Sequence, residues 1–237
     1  MTYGFAILGR PRTGSNHLVS LLNSHSDIVC YGEIFRSEFK LASRIDKSLK
    51  DLAEPSVRLK NAKAVVDRIV ALNPEVSAVG FKVFPNHVKF KRGVFGNRIS
   101  RIVSLVRDND LAVYSSGKTA SITGHGALRV GQAAVRARIR FDSEDFARFR
   151  AKLDKERRFW EDFVASSPQE KQFRIAYEDI NDPDRLHDLQ SFLGVTPETL
   201  ASDMQKRNPA DILDRFENPD DAASYLAKIG KEHWARE

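Results

Sequence analysis

The stretch that decides the fold is residues 6–22, AILGRPRTGSNHLVSLL. The short apolar run at its start, residues 5–8, is bounded by glycines, which is typical of a buried strand. A turn with a glycine at each end, residues 9–14, comes next, and then Ser15 and Asn16, either of which can cap a helix. Apolar residues at helical spacing predict a helix from there onward. A strand, a glycine-bounded loop and a helix in this order point backbone N–H groups and a helix dipole at an anion.

The two glycines of the turn have the spacing of the nucleotide-binding loop G-x-x-x-x-G-K-[ST]. Ser15, however, stands at the lysine position and Asn16 at the position of the magnesium-binding hydroxyl. The cations come earlier in the loop, as Arg10 and Arg12. Because a nucleotide hydrolase needs the lysine on the outer phosphates and a hydroxyl on the metal, the loop indicates a different anion. An ordinary strand–turn–helix connection also fits these residues.

Length and composition suit one soluble α/β domain. The chain has 237 residues, of which 41% are hydrophobic and 30% charged, and no repeat or Gly-, Ser- or Pro-rich linker divides it into two. No run approaches the ~18 apolar residues that a membrane helix needs, and no signal-peptide pattern begins the chain. The single cysteine, Cys30, suits a reducing compartment and reads as a buried strand residue rather than a nucleophile. We therefore expect one domain, residues 1–237, in the cytoplasm.

The charge balance favours an anionic partner. The chain carries 38 Lys and Arg against 32 Asp and Glu, a net charge of +6. Such an excess suits an anionic ligand, but it equally suits weak attraction to nucleic acid or to a membrane surface. Net charge alone does not distinguish an anionic ligand from nucleic acid or a membrane surface.

Apolar runs and helical periodicity alternate along the rest of the chain. They predict further strands at residues 27–31, 76–84, 98–106 and 171–177, and helices at residues 57–72, from 143 onward and at 183–193. This alternation predicts a three-layer α/β sandwich with a mainly parallel central sheet. Residues 117–140 contain four glycines and scattered arginines, which predicts a mobile loop on the substrate side. Residues 196–237 are polar and turn-rich, and we expect an irregular segment there.

Charged side chains follow several predicted strands, at the sheet edge where open α/β sheets bind ligands. Glu33 comes just after the second strand, although a solvated loop carboxylate is the simpler interpretation. Lys82 interrupts the third strand, where a lysine usually extends to the sheet edge. Arg107 ends the fourth strand, well placed to hold a phosphate, and Ser115 lies two helical turns further on. The residues expected to converge are Arg10, Arg12, Ser15, Asn16, Glu33, Lys82 and Arg107.

These residues resemble a known family. The run RPRTGSNHLVSLLNSH followed by GEIF is similar to the 5′-phosphosulfate-binding loop of bacterial sulfotransferases, of the nodulation-factor and trehalose types, which use 3′-phosphoadenosine 5′-phosphosulfate (PAPS). RIVSLVRDNDLAVYSSGKTASITG resembles their 3′-phosphate-binding segment. GFKVFPNH, FRIAYEDI and KRNPADILDRFEN resemble later blocks in the same order. The resemblance spans nearly the whole chain and implies a P-loop NTPase-like sulfotransferase fold.

The resemblance implies transfer of a sulfuryl group from PAPS to an acceptor hydroxyl, of a carbohydrate or a glycolipid, with 3′-phosphoadenosine 5′-phosphate (PAP) as the product and no metal. Asn16 departs from the family, which has Thr or Ser at that position. Arg107 and Ser115 are expected to hold the 3′-phosphate, and residues 196–237 to pack near the nucleotide. The residues expected to bind the donor are Arg10, Arg12, Thr13, Gly14, Ser15, Asn16, Arg107, Ser115 and Lys206.

Four residues are candidates for the chemistry. Arg12 is expected where charge develops on the departing oxygen. Glu33 is the first candidate for the general base, and it matches the carboxylate with that role in the trehalose-type relatives. His25 is the second candidate, with a structural histidine at the end of the first helix as the alternative. Lys82 is expected to contact the sulfuryl group or the acceptor, or else to be structural.

Two other classes of function stay open. A P-loop nucleotide kinase or hydrolase fits the strand–loop–helix order but not Ser15 in place of lysine. A non-catalytic protein that binds nucleotides or polyanions fits the basic charge, although the sequence contains no recognised nucleic-acid motif, and no nucleic-acid partner is expected. Relatives include dimers, so the resemblance also allows a homodimer.

Overall fold

The computed structural model describes residues 2–36, 60–85, 87, 99–124, 126–133, 135–206 and 208–237. The strands are β1 (Tyr3–Leu8), β2 (Ile28–Tyr31), β3 (Ala78–Val83), β4 (Ile99–Val106) and β5 (Gln172–Ala176). The helices in these ranges are α1 (Ser15–Leu22), α2 (Ala62–Ala71), α3 (Asp110–Thr123), α4 (Ser143–Ala165), α5 (Pro183–Phe192) and α6 (Pro219–Lys228). None of these helices is long and apolar enough to cross a membrane.

The five strands form one parallel sheet in the order β2-β3-β1-β4-β5. β1 is central and apolar, and Phe5 and Ile7 in it are completely buried. Its neighbours are β3 on one side and β4 on the other, with Ile7 in register with Lys82 and with Val103. Because all strands run the same way, the segments after β1, β3 and β4 meet at one edge, as predicted.

Helices cover both faces of the sheet, which confirms the predicted three-layer sandwich. On one face α2 packs through Val66 and Ile69, together with Trp160 of α4, against Phe81 and other sheet residues. On the other face α1 and α5 pack against β1, β4 and β5. Each fully buried aliphatic or aromatic side chain contributes about 1.5–3 kcal/mol to folding, so these two layers fix the strand ends relative to one another.

Several helices begin with residues that favour helix N-termini. Asn109 caps α3 by accepting a hydrogen bond from the backbone N–H of Ala112 at 3.0 Å, and Asp142 caps α4 in the same way from Asp145 at 2.8 Å. Such caps contribute about 1 kcal/mol each. Proline occupies the first turn of α5 and of α6, where its missing N–H has no intrahelical partner to lose.

Two segments are more regular than the sequence predicted. α3 continues to Thr123, so the first residues of the predicted loop 117–140 are helical. Residues 196–237, predicted as irregular, contain α6 and a third apolar cluster, in which Phe216, Leu226 and Trp234 pack against Phe146 of α4. The start signal of α6, Asn-Pro-Asp-Asp, follows the rule for helix N-termini and was missed because the tail is so polar.

Candidate functional site

The loop after β1 has a fixed shape. The hydroxyl of Thr13 donates a hydrogen bond to the carbonyl oxygen of Arg10 at 2.8 Å, which closes the turn, and the indole of Trp160 donates to the carbonyl of Gly9 at 2.9 Å. Gly14 has φ 84°, and a Cβ there would lie 2.8 Å from both Tyr177 and Ile180. Only glycine fits this position, since the backbone is left-handed and the space is filled.

The loop delivers the N-terminus of α1 to a cavity of about 600 Å³. The lining includes Gly14 and the first residues of α1, Ser15, Asn16 and His17, and α1 has no side-chain cap at this end. The first backbone N–H groups of a helix have no intrahelical acceptor, and the helix dipole adds positive potential there. This end of the cavity is therefore suited to an anion.

Arg12 extends across the same cavity. It has φ 70°, a left-handed conformation that is uncommon for a residue with a side chain. Its Nε donates to the hydroxyl of Ser116 on α3 at 2.9 Å, and its Nη1 donates to the carbonyl of Gly126. The loop thus projects a guanidinium into the cavity that the first residues of α1 also line.

Lys82 supplies a buried ammonium beside the start of α1. It is 3% exposed, and its Nζ contacts the side-chain oxygen of Asn16 and, at 3.4 Å, the hydroxyl of Ser15. The nucleotide-binding loop has its lysine at the position of Ser15, whereas here the ammonium comes from the neighbouring strand β3. Burial lowers the pKa of Lys82, and the carboxylate of Glu33 opposes this shift.

Glu33 lies against Lys82 and His87, just beyond the end of β2 as predicted. Its carboxylate is 3.1 Å from Nζ of Lys82 and 3.5 Å from Nε2 of His87. The backbone N–H of Phe84 donates to Nδ1 of His87 at 3.2 Å, so Nε2 carries the proton and faces Glu33. Burial alone would raise the pKa of Glu33, but the hydrogen bond from His87 and the charge of Lys82 outweigh it and lower the pKa to about 2. Glu33 is therefore ionised at neutral pH.

Arg107 joins the loop to a second group of charges. Its Nη1 donates to the carbonyl oxygen of Arg12, and its Nε donates to Oε1 of Glu237 at 2.6 Å. The ring of Tyr177 lies 3.8 Å from the guanidinium carbon. Stacking on an aromatic face and two-point contact with a carboxylate are both typical of arginine at anion sites.

Two further cations face the Glu237 carboxylate, and together with Arg107 they form what we call the three-cation subsite. Nη2 of Arg215 is 3.7 Å and Nζ of Lys206 is 4.0 Å from Oε2 of Glu237. Lys206 was predicted to bind the donor, whereas Arg215 and Glu237 were not predicted to belong to the site. Burial lowers the pKa of Arg215, and the charge of Glu237 acts against this.

Ser115 lies behind this subsite rather than in the cavity. Its hydroxyl is completely buried, donates to the carbonyl of Ala112 at 3.2 Å and accepts from Nη1 of Arg215 at 3.2 Å. Ser116, the next residue, lines the cavity instead. Ser115 therefore orients Arg215, which is a different contact from the direct phosphate contact that the resemblance implied.

Two candidates lie away from the cavity. Arg10 is buried against α4, where its Nη1 donates to the carbonyl of Leu153 at 3.3 Å and its Nε is 3.2 Å from Glu156. His25 lies beyond the far end of α1, about 12 Å from the loop by helix length. Both ring nitrogens of His25 bond to backbone, one to the carbonyl of Thr196 and one to the N–H of Asp27. These contacts favour a structural role for Arg10, in contrast to the sequence prediction, and they favour the structural alternative for His25.

Most of the charged side chains that line the cavity are cationic. Arg12, Arg107, Lys206 and Arg215 face it, against the two acidic side chains Glu178 and Glu237. Among the residues that the structure describes, no group of three or more His, Cys, Asp or Glu side chains is arranged to hold a metal ion.

The comparisons with known proteins support the fold. No model of a protein family and no curated protein sequence matches the chain. Among solved structures, it is similar to a sulfotransferase from Alicyclobacillus acidocaldarius, with TM-score 0.55 and 16% identity over 98% of this chain and 95% of that one. It is also similar to the sulfotransferase domains of the Synechococcus PCC 7002 olefin synthase (TM-score 0.51, 17% identity) and of the curacin biosynthetic pathway (TM-score 0.51, 18% identity). Each of these two matches covers 83% of this chain and 75% of the other. The chain therefore has a sulfotransferase fold.

Proposed function

We propose that this protein transfers a sulfuryl group from PAPS to the hydroxyl of an acceptor. The observation that carries the proposal is that one cavity is lined by two separate groups suited to anions. One is the N-terminus of α1 with Arg12, where the buried Lys82 contacts Ser15 and Asn16, and the other is the three-cation subsite. PAPS has two anionic groups on one nucleoside, a 5′-phosphosulfate and a 3′-phosphate. The sulfotransferase fold of the chain supports the same assignment.

The 5′-phosphosulfate would lie on the loop, held by backbone N–H groups of residues 12–15, the Ser15 hydroxyl and the Asn16 amide. The 3′-phosphate would lie in the three-cation subsite, where Arg107 and Arg215 offer fixed guanidinium groups. This second site is what distinguishes PAPS from ATP. Placing the ammonium on β3 rather than on the loop leaves the loop short of the lysine that a P-loop kinase uses.

The transfer step needs positioning and charge stabilisation more than covalent chemistry. The acceptor oxygen forms a bond to sulfur while the bond from sulfur to the phosphate oxygen breaks, and the electron pair of that bond stays on the phosphate. Arg12 would stabilise the charge that this leaving oxygen gains, and Lys82 would contact the sulfuryl group. Removing one such donor typically costs about 2.7–4 kcal/mol of transition-state stabilisation.

The proton of the acceptor hydroxyl would go to Glu33. A carboxylate with a pKa of about 2 is ionised but weakly basic. Its low basicity comes from His87 and Lys82, so movement of the Lys82 ammonium from Glu33 to the donor would raise the basicity of Glu33 when donor is bound. The same ammonium contacts Ser15 and Asn16 at the start of α1, so the required displacement is short.

Calorimetric binding tests the donor assignment. PAP is compared with AMP and with ATP plus magnesium, and we expect tight, metal-independent binding of PAP alone. Transfer is then followed with radiolabelled PAPS and a panel of hydroxyl acceptors that begins with carbohydrates and glycolipids, the acceptors we propose. Preference for ATP with magnesium would instead indicate a kinase or hydrolase, and equal weak binding of all three would indicate a polyanion-binding protein.

A further inference from the structure

The three-cation subsite is filled by a carboxylate of the chain itself. The Glu237 side chain is 4% exposed and lies within 4.0 Å of Arg107, Lys206 and Arg215. Arg107 holds it through both Nε and Nη2, the two-point geometry with which arginine binds phosphates as well as carboxylates. A carboxylate here occupies the position that an external anion would take.

The segment that carries Glu237 is held without this carboxylate. The side-chain amide of Asn109 donates to the carbonyls of Trp234 at 3.1 Å and Arg236 at 3.3 Å, and the backbone N–H of Glu237 donates to the carbonyl of Ala210 at 3.0 Å. Trp234 is buried in the third apolar cluster. Rotation of the Glu237 side chain therefore empties the subsite while the backbone stays docked.

We propose that Glu237 is a built-in competitor of the anion that binds the three-cation subsite. This inference rests on the proposed function in taking that anion to be the 3′-phosphate of the nucleotide. Binding of the nucleotide expels the Glu237 carboxylate, and departure of PAP lets it return, so the carboxylate lowers product affinity and assists release.

The difference in charge between the phosphate and the Glu237 carboxylate determines which of the two occupies the three-cation subsite. A phosphate monoester carries about −1.5 to −2 at neutral pH and offers three oxygens, against −1 and two oxygens for the carboxylate. At saturating nucleotide the phosphate therefore occupies the subsite. Below saturation, the apparent affinity for the nucleotide equals its intrinsic affinity multiplied by the fraction of molecules in which the carboxylate has left the subsite. If that fraction is about a tenth, the loss of the carboxylate tightens binding about tenfold.

The experiment compares wild type with Glu237→Gln, which keeps the shape and removes the charge. The matched control is Glu232→Gln, which makes the same charge change at an exposed position of the same segment. Calorimetry gives the Kd of PAP and of AMP for each protein, and thermal unfolding with and without PAP reports folding. Glu237→Asp, which retains the charge on a shorter side chain, is measured as a second variant in case Glu237→Gln folds poorly.

We expect Glu237→Gln to bind PAP about tenfold more tightly, with Glu237→Asp intermediate and both AMP binding and the Glu232→Gln control unchanged. If wild type prefers PAP to AMP but PAP affinity is unchanged or lower in both Glu237 variants, the donor assignment stands and the competitor is overturned. If no protein prefers PAP, the proposed function fails, and inorganic phosphate becomes the probe. Greater thermal stabilisation of Glu237→Gln than of wild type by phosphate then supports the competitor, and equal stabilisation overturns it.

Discussion

Removing the charge of Glu33 tests how much its contacts with Lys82 and His87, beside the loop, stabilise the fold. In Glu33→Gln the side chain keeps its size, but Lys82, which is 3% exposed, loses its carboxylate partner. The carboxyl pKa falls from 4.5 to about 2 on folding. At about 1.4 kcal/mol per unit this is at most about 3.5 kcal/mol of stability, and about 2 kcal/mol after allowance for residual solvent screening.

The pH dependence identifies the source of this free energy. Because the folded pKa lies below the unfolded one, the contribution of Glu33 is fully present above pH 4.5 and is lost as pH falls toward 2. The difference in unfolding free energy between wild type and Glu33→Gln should therefore be largest at neutral pH and shrink below pH 4.5. Taking the difference between the two proteins removes the contribution of the other carboxylates.

Urea unfolding of both proteins at a series of pH values measures this difference. The matched control is Glu144→Gln on α4, whose exposed carboxylate is 3.7 Å from Arg148. Such a pair contributes about 0.2–0.5 kcal/mol, so the control should change little at any pH. A neutral-pH difference no larger than that of Glu144→Gln, or one that stays constant into acid, would refute the argument.

Three further predictions concern the loop, the three-cation subsite and Cys30. Gly14→Ala should destabilise the fold by about 2–5 kcal/mol in a denaturant titration, from left-handed strain and contact with its neighbours. Gly131→Ala, at φ 85° in open space, should show the cost of the strain alone. Arg107→Ala should weaken PAP binding in calorimetry at least tenfold more than Arg101→Ala, which changes an arginine near the other end of β4; equal effects would remove Arg107 from the site. Cys30, buried with its pKa raised to about 12, should react with a thiol reagent only on unfolding, and rapid labelling of the native protein would contradict this.

The sequence predicted the sheet well because its signals are local. Most of the strands are apolar runs bounded by turn residues, and all five lie within two residues of the predicted bounds. The same rule, that polar residues after parallel strands converge, placed Glu33 and Arg107 at the correct edge. It would also have found Tyr177, which directly follows β5 and stacks on Arg107.

The remainder of the site depends on contacts between distant parts of the chain. Arg215 reaches Ser115 and Glu237 from a short 3-10 turn, Leu213–Arg215, and no spacing in the sequence links these three. Arg10 was predicted to face the anion because it lies in the loop, but the turn directs it to Glu156 on α4. Side-chain direction in a tight turn is set by the backbone conformation of each residue, which residue type alone does not determine.

Lys82 contacts residues proposed to act in both parts of the reaction, donor binding and removal of the acceptor proton. Its ammonium lies between Glu33, the proposed base, and Ser15 and Asn16 at the start of α1. A lysine on β3 contacts both Glu33 and the first residues of α1 from one buried position. On the proposed function, donor binding and the basicity of Glu33 would be coupled, because a charge that draws the ammonium toward α1 would leave the carboxylate less stabilised. The replacement of the loop lysine by Ser15 and the presence of an acidic residue after β2 are, on this argument, parts of one arrangement.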